Sequence, residues 1–475
     1  MADRVDLIVR GGTVVTATSM VAAAVAITGE RIVAVGQPET MPEADRVIDA
    51  SGKYVLPGAI DCHTHLNLDG WQLGSLMAAR AGITTIVPFT GYQQAEQETL
   101  PAAITRIQGE MAGRLSCDVS LNFILFNTPY VYDELPKAVE MGVSAYKVFM
   151  TYKRGPLMSP DGNIIHAMNV VAKAGGLLQL HCENGEVLDY LHEQAIQQGH
   201  TKPVDYPATC PPWAEAEAIN RAIVMARATG CPIYIVHLST QQGLDHIQRA
   251  QDSGQAVFAE TCPHYLLLGE DQMQKLGPLA KVGPPLRNFE EGHQAAMWQG
   301  VSIGTISTVG SDHAPASKER KELGWENVFF APDGGAIPFG APSLETIVPV
   351  TFSEGVSKRG LPPTWFARVL AENPARLFGL YPRKGAILPG SDADLLIIDP
   401  DAEWTLTAAD MLGQAGYTPY EGWQVRGRPW MTLLRGRVLL EGGEVKQQPG
   451  YGQFVPAGSP MPPISGRVTA GAVNG

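Results

Sequence analysis

The sequence predicts a mixed α/β protein: a (β/α)8 TIM-like barrel carried by a small β-sandwich domain formed from both chain ends. Three observations predict it. Short β-rich runs punctuated by turns occupy the two ends of the chain. Between them, eight apolar runs of four to seven residues alternate with segments of helical periodicity. No G-x-G-x-x-G or Walker sequence follows any of these runs, as the competing doubly wound open sheet would favour.

The N-terminal region, residues 1–56, alternates β-rich runs (5–9, 13–15, 22–27, 31–35 and 52–56) with turns at Gly11-Gly12 and Gly29, the pattern of small antiparallel strands. The signature returns late in the chain. Gly-Ser-Asp-Ala-Asp at 390–394 leads into 395–398, followed by 431–434, 437–440 and a Gly442-Gly443 turn. Residues 1–56 and 380–455 are therefore expected to form one β-domain around a barrel of residues 57–379. Residues 456–475, rich in Gly, Pro, Ser and Ala, read as a tail that packs on a neighbour or stays mobile.

Within the insert the candidate strands are 56–60, 84–89, 119–125, 145–150, 177–180, 233–236, 256–259 and 305–309, with helical stretches such as 214–228 and 242–250 between them. Eight buried strands joined by helical crossovers is the count that closes a parallel barrel. A chain of 475 residues, 45% apolar and 17% charged, is long enough for such a domain and a smaller companion.

Charge excludes some partners. A formal net charge of −13 argues against nucleic acid, which needs a basic face, and offers no polybasic handle for an anionic membrane. No apolar stretch approaches the roughly 20 residues that span a bilayer. The N-terminus enters strand-like sequence directly, so no secretory signal is expected. Six scattered cysteines without a C-x-x-C pair read as reduced, buried thiols, which points to the cytoplasm.

Five segments that can bear metal ligands fall at strand ends. Asp-Cys-His63-Thr-His65 follows the first run and Lys147 lies inside the end of the fourth. His181 follows the fifth, His237 ends the sixth, and Gly-Ser-Asp312-His313 follows the eighth. Barrel enzymes place their chemistry at that rim. In a regular strand, residues i and i+2 share a side, so His63 and His65 can face one ion. His181 and His237 can serve a second, and Asp312 is an oxygen ligand that can also exchange a proton with water. An ammonium at Lys147 beside two dications is disfavoured; conversion to a carbamate with CO2 supplies a negative bridge instead. A lone strand-end His is more often a hydrogen-bonded core residue. The set of four His, one Lys and one Asp is what carries the reading. His264 and His313, although adjacent, are not read as ligands.

The order H-x-H (63–65), K-V-F-M-x-Y (147–152), H-x-E-N-G (181–185), V-H-L-S (236–239), P-P-L-R (284–287) and G-S-D-H (310–313) resembles the dihydropyrimidinase/hydantoinase branch of the amidohydrolase superfamily. The similarity spans nearly the whole chain, including 57–61, 216–222, 373–380 and 420–422. The resemblance implies two divalent ions, zinc first, with manganese or cobalt suited to the same ligands. His63, His65 and Asp312 would hold the more buried ion, His181 and His237 the more exposed one, and carboxylated Lys147 would bridge them. Asp312 would be the proton-transferring group. Tyr152 matches the tyrosine that hydrogen-bonds the oxyanion, and backbone groups around Gly283 and at Phe339 match those that clasp the ring amide. The implied reaction opens a hydantoin or dihydropyrimidine ring to an N-carbamoyl amino acid, in a homotetramer or homodimer.

Three departures bear on the substrate. The loop at 66–73 is short, Gly283 stands where the family commonly has Ser, and Phe339 where Asn is usual. Dihydroorotase-like relatives carry an Arg two residues after the second His; here Asn67 fills that place and cannot clamp a carboxylate. An allantoinase is the enzymatic alternative, given the Cys262-Pro263-His264-Tyr265 and Leu279-Ala280-Lys281 segments. A non-catalytic, assembly-forming relative is the other, although such relatives lose ligands that this chain keeps.

Overall fold

The computed structural model describes residues 4–66, 68–446 and 449–465. Eight parallel barrel strands follow one another in chain order. They are Ala59–Thr64, Ile83–Thr90, a third in two pieces (Asp118–Val119 and Asn122–Ile124), Ala145–Phe149, Leu177–His181, Ile233–Ile235, Val257–Thr261 and Thr308–Val309. The last strand meets the first through a single bridge, Thr64 to His313. Asp61 reinforces that seam by accepting hydrogen bonds from Ser311 N at 3.0 Å and Ser311 Oγ at 2.6 Å. Burial pushes the Asp61 carboxyl up to about 6, against the opposing pull of those Ser311 bonds.

The expected run at 56–60 proves to be two strands. Tyr54–Pro57 pairs with Leu395–Thr405 in the β-domain, and the barrel begins only at Ala59. Gly58 makes the break: a Cβ there would come within 2.2 Å of the Thr84 hydroxyl, so only glycine lets the strands approach. One consequence is that His63 lies inside the first strand rather than in the loop after it.

Helices sheathe the barrel as their periodicity requires. The helix Gln241–Asp252 buries Gly243, Leu244, Ile247 and Ala250 along one face, and Thr240 caps it by accepting from Gly243 N at 3.3 Å. The stretch expected at 214–228 forms Pro212–Thr229.

Both chain ends supply the β-sandwich. A seven-stranded sheet combines Thr13–Val15, Met20–Ala22 and Tyr54–Pro57 with Leu395–Thr405, Gln424–Leu434, Arg437–Glu441 and Glu444–Val445. A four-stranded sheet combines Arg4–Arg10, Ala24–Thr28, Arg31–Gly36 and Glu43–Asp49. Leu7, Val9 and Ile27 of the smaller sheet share a core with Leu395, Ile397 and Leu433 of the larger. The expectation of purely antiparallel strands needs correction, because Arg4–Arg10 pairs in parallel with Glu43–Asp49, and Thr13–Val15 with Tyr54–Pro57. Glu43–Asp49 gave no signal in the sequence: it is a mostly exposed edge strand, and its residues are largely polar.

The described residues of the tail pack on the chain's own barrel. Val455 N donates to Val119 O at 2.7 Å, Ala457 N to Gly142 O at 2.9 Å, and Ile464 N to Asn373 Oδ1 at 2.7 Å. The Val455 side chain is fully buried against the barrel floor.

Candidate metal centre

At the C-terminal rim the strands bring His63, His65, Lys147, His181, His237 and Asp312 together. His63 precedes the last residue of the first strand, where a register shift between Asp61 and Thr64 inserts one extra residue opposite the second strand. Bulges of this kind re-aim side chains beside active sites. Lys147 is third of five in its strand and His181 last in its own, while His237 and Asp312 sit two and three residues beyond theirs. His237, Asp312 and Tyr152 have positive φ angles of 40°, 45° and 65°, among only five such non-glycine residues described. Each costs on the order of 1–3 kcal/mol, strain that concentrates at working sites.

The polar atoms converge. His63 Nε2 lies 3.1 Å from Asp312 Oδ1 and 3.2 Å from Lys147 Nζ, and His65 Nε2 lies 3.8 Å from the same carboxylate oxygen. His237 Nε2 is 3.0 Å from His181 Nδ1. Ligand atoms of His63, His237 and Asp312 all fall within 4.8 Å of one another. Burial pushes the Asp312 carboxyl up, but the surrounding imidazoles of His63, His237 and His65 outweigh it and hold the group well below the usual carboxylate range. Burial keeps the His65 and His237 imidazoles neutral, as metal ligands must be.

Divalent ions suit this donor set. Four imidazoles and a carboxylate face one another in a buried space, and His237 Nδ1 has no partner among the described residues. Lys147 Nζ touches no carboxylate there; it lies over the Phe89 ring at 4.2 Å and the Phe149 ring at 5.0 Å. Burial draws its ammonium down to about 8, with Asp312 and Glu260 opposing. A neutral amine is the form that combines with CO2.

Two carboxylates that orient the cluster were not read from the sequence. Glu260 accepts from His63 Nδ1 at 2.5 Å and from the Tyr234 hydroxyl at 2.8 Å, fixing the tautomer that turns Nε2 toward Asp312. Glu183 does the same for His181 Nε2 at 2.7 Å. The available signal for Glu260 was an acid standing directly after the seventh apolar run. The motif residues Ser239 and Arg287 also have structural work. Arg287 donates to Ser239 Oγ at 2.9 Å, Glu215 at 2.7 Å and Cys210 O at 2.6 Å, bracing the loop that carries His237.

His313 is not part of the cluster. Its Nε2 bonds Asp69 at 2.9 Å and its Nδ1 accepts from Ser343 N and Leu344 N, leaving no free nitrogen. His264 is buried with both nitrogens unpartnered among the described residues, and burial holds it down to about 4. Tyr152 lies beside His181 at 5.2 Å between ring centres, and its hydroxyl makes no hydrogen bond among the described residues. Gly283 and Phe339 line the same side of the mouth against Tyr152. Asn67 lies outside the described residues.

Fold and cluster together define a barrel enzyme of the metal-dependent hydrolase class. The comparisons place it more closely. Residues 54–439 match the Amidohydrolase family. The chain is 36% identical over 462 residues to the D-hydantoinase of Geobacillus stearothermophilus, covering 94% of this chain and 96% of the relative. It is 34% identical over 467 residues to the allantoinase of Salmonella choleraesuis (strain SC-B67), covering 95% and 98%. The crystal structure of dihydropyrimidinase from Brevibacillus agri NCHU1002 superposes with a TM-score of 0.90 at 35% identity, over 96% of this chain and 99% of the other. The chain belongs to the amidohydrolase family, in its dihydropyrimidinase/hydantoinase branch.

Proposed function

We propose that this chain hydrolyses the ring amide of a cyclic ureide or imide, of the hydantoin or 5,6-dihydropyrimidine type, to an N-carbamoyl amino acid. One observation carries the reading: six ligand-type side chains from five strands meet in a buried mouth beside an unengaged tyrosine hydroxyl. His63, His65 and Asp312 would hold one divalent ion, His181 and His237 another, with carboxylated Lys147 between them. Zinc, manganese or cobalt suits these ligands. Such ions supply Lewis acidity and lower the pKa of water toward neutrality.

The remaining chemistry belongs to the chain. Asp312, held ionised, accepts the proton of the attacking water and returns it to the leaving ring nitrogen. Burial keeps the Tyr152 hydroxyl protonated, so it can donate to the oxygen that becomes anionic as the carbonyl turns tetrahedral. Backbone groups at Gly283 and Phe339 would hold the ring amide. Lys147 Nζ attacks CO2, forming an N–C bond and losing one proton.

The same reading takes residues 57–379 as the catalytic barrel and residues 1–56 with 380–455 as one β-domain; the pairing of Tyr54–Pro57 with Leu395–Thr405 supports joining the two ends, with Pro57 on the β-domain side. Six buried free thiols support a cytoplasmic setting, and the family resemblance a homotetramer or homodimer. No helix among the described residues is long and apolar enough to cross a membrane.

The test is a turnover panel of hydantoin, 5-phenylhydantoin, dihydrouracil and allantoin on metal-quantified protein. Ring opening of the hydantoin or dihydropyrimidine substrates is expected. Turnover of allantoin alone would favour an allantoinase, and a metal-free protein inert on all four an assembly-forming relative.

A further inference from the structure

Two segments carry the backbone groups proposed to hold the ring amide: 279–284, with Gly283, and 337–341, with Phe339. Neither lies in a barrel strand, so no sheet ladder sets their spacing. Two buried lysines set it instead. Lys321, on the short helix Lys318–Glu322, is fully buried, and its Nζ donates to Leu279 O at 3.2 Å, to Lys281 O at 3.0 Å and to Gly340 O. Gly340 N also donates to Lys281 O at 3.1 Å, so the same two segments are joined directly. Lys281 Nζ donates to Val328 O at 2.9 Å and Ile337 O at 2.8 Å, and lies 4.1 Å over the Phe339 ring.

The stapled pair is also registered on the metal centre. Gly340 has a φ of 91°, and a Cβ there would come within 2.2 Å of Ala314 O, two residues beyond Asp312. Ala314 N donates in turn to Ala341 O at 3.2 Å, and His313 forms a parallel bridge with Ala341. The first segment is pinned from its other side. There the Tyr206 hydroxyl donates to Val282 O at 3.0 Å and the Tyr265 hydroxyl to Pro284 O at 2.6 Å.

We propose that Lys321 is a positioning residue for ring opening: it staples the Gly283 and Phe339 segments at the separation a ring amide fits and ties both to Asp312, with Lys281 as a second staple. The inference rests on the ring-opening reading above. The acceptors of Lys321 stand one residue from Phe339 and two from Gly283, so the staple acts on the clasp through the backbone alone. Three N–H groups on one nitrogen meet three carbonyls, a fit that only a lysine ammonium supplies. Among the described residues neither amine pairs with a carboxylate, so both are committed to holding backbone. Geometry of this kind matters because a misplacement of about 1 Å in a bound substrate can cost on the order of a hundredfold in rate.

The experiment measures kcat and KM for hydantoin and dihydrouracil on the metal-loaded full chain, with metal per chain and urea unfolding followed in parallel. Lys321→Met should raise KM about tenfold and lower kcat no more than about threefold, with metal per chain unchanged. The preference for hydantoin over its N-methylated forms should also shrink about fivefold, because a loosened clasp discriminates less well at the ring N–H. Lys384→Met removes a buried lysine bonded to Asp118 and Asp394, outside the clasp, and controls for lost stability alone. It should leave KM within about twofold of wild type. Lys281→Met, which frees Ile337 O, is the second variant should Lys321→Met not fold, and should raise KM about threefold. An unchanged KM in the folded staple variants, or an equal rise in Lys384→Met, would overturn this inference alone. No turnover of any ring by metal-loaded wild type would instead overturn the ring-opening reading.

Discussion

Two buried clusters in this molecule use the same kinds of atoms toward different ends. In one, His63, His237 and Asp312 bring ligand atoms within 4.8 Å of one another; in the other, Asp118, Asp392 and Asp394 do the same. The acidic trio is filled by the chain itself. Lys384 Nζ lies 2.5 Å from Asp118, 3.0 Å from Asp392 and 2.7 Å from Asp394, and Arg435 also pairs with Asp118. Burial works against the Lys384 charge, yet the three carboxylates more than offset it and hold the ammonium firmly protonated. Because Asp118 is in the third barrel strand and its partners in or beside the β-domain, the trio fastens one to the other. Among the described residues the amine of the rim cluster is Lys147, which faces aromatic rings and an imidazole and pairs directly with no carboxylate, although Asp312 and Glu260 favour its charge from further off. The acidic trio is completed by the chain's own cation, whereas the rim cluster is the one we propose to hold divalent ions.

The largest expected effect comes from Lys147→Ala. Turnover should fall on the order of a thousandfold or more and bound metal should drop, with partial rescue by added short-chain carboxylates. Full activity in that variant would erase the distinction between the clusters. Lys384→Met should act on stability instead. It leaves buried carboxylates uncompensated and should cost about 3–5 kcal/mol in urea unfolding, with metal per folded chain unchanged. Loss of metal without loss of stability would reverse the assignments.

A pH experiment sharpens the same contrast. With Lys147 drawn down to about 8, its ammonium gives way to the reactive amine as pH rises through that value. Reactivation of CO2-stripped protein at fixed dissolved CO2 should therefore be about 25-fold faster at pH ~8.5 than at pH ~6.5. A flat profile would mean that Lys147 is not the group being modified. The smallest effect belongs to Arg31, half-exposed and 2.6 Å from Asp392 at the edge of the acidic trio. Arg31→Ala should cost no more than about 1 kcal/mol by thermal or urea unfolding, since water screens that pair.

Much of this was legible in the sequence. The eight runs found eight strands because strands covered on both faces must be apolar throughout. Site positions such as His181, His237 and Asp312 stood out as polar residues where those runs end. The boundary at Gly58 was hidden because two strands belonging to different sheets abut in one apolar run. Glu43–Asp49 was missed because an exposed edge strand buries little and carries no alternation. Glu260 went unread because it reaches His63 across the barrel, a contact that sequence spacing does not encode, whereas Glu183 stands two residues after His181 and only its role on that ring was unassigned. The β-domain connection through Lys384 and Asp118 joins residues 266 positions apart, beyond any local pattern.

The most direct test is metal per chain in wild-type, Lys147→Ala and Lys384→Met proteins, measured by atomic emission together with hydantoin turnover before and after chelation. The account predicts about two divalent ions in the wild type and Lys384→Met, a marked loss in Lys147→Ala, and turnover that disappears with the metal and returns with it. A chelated, metal-free wild type that still opens the ring at full rate would contradict it.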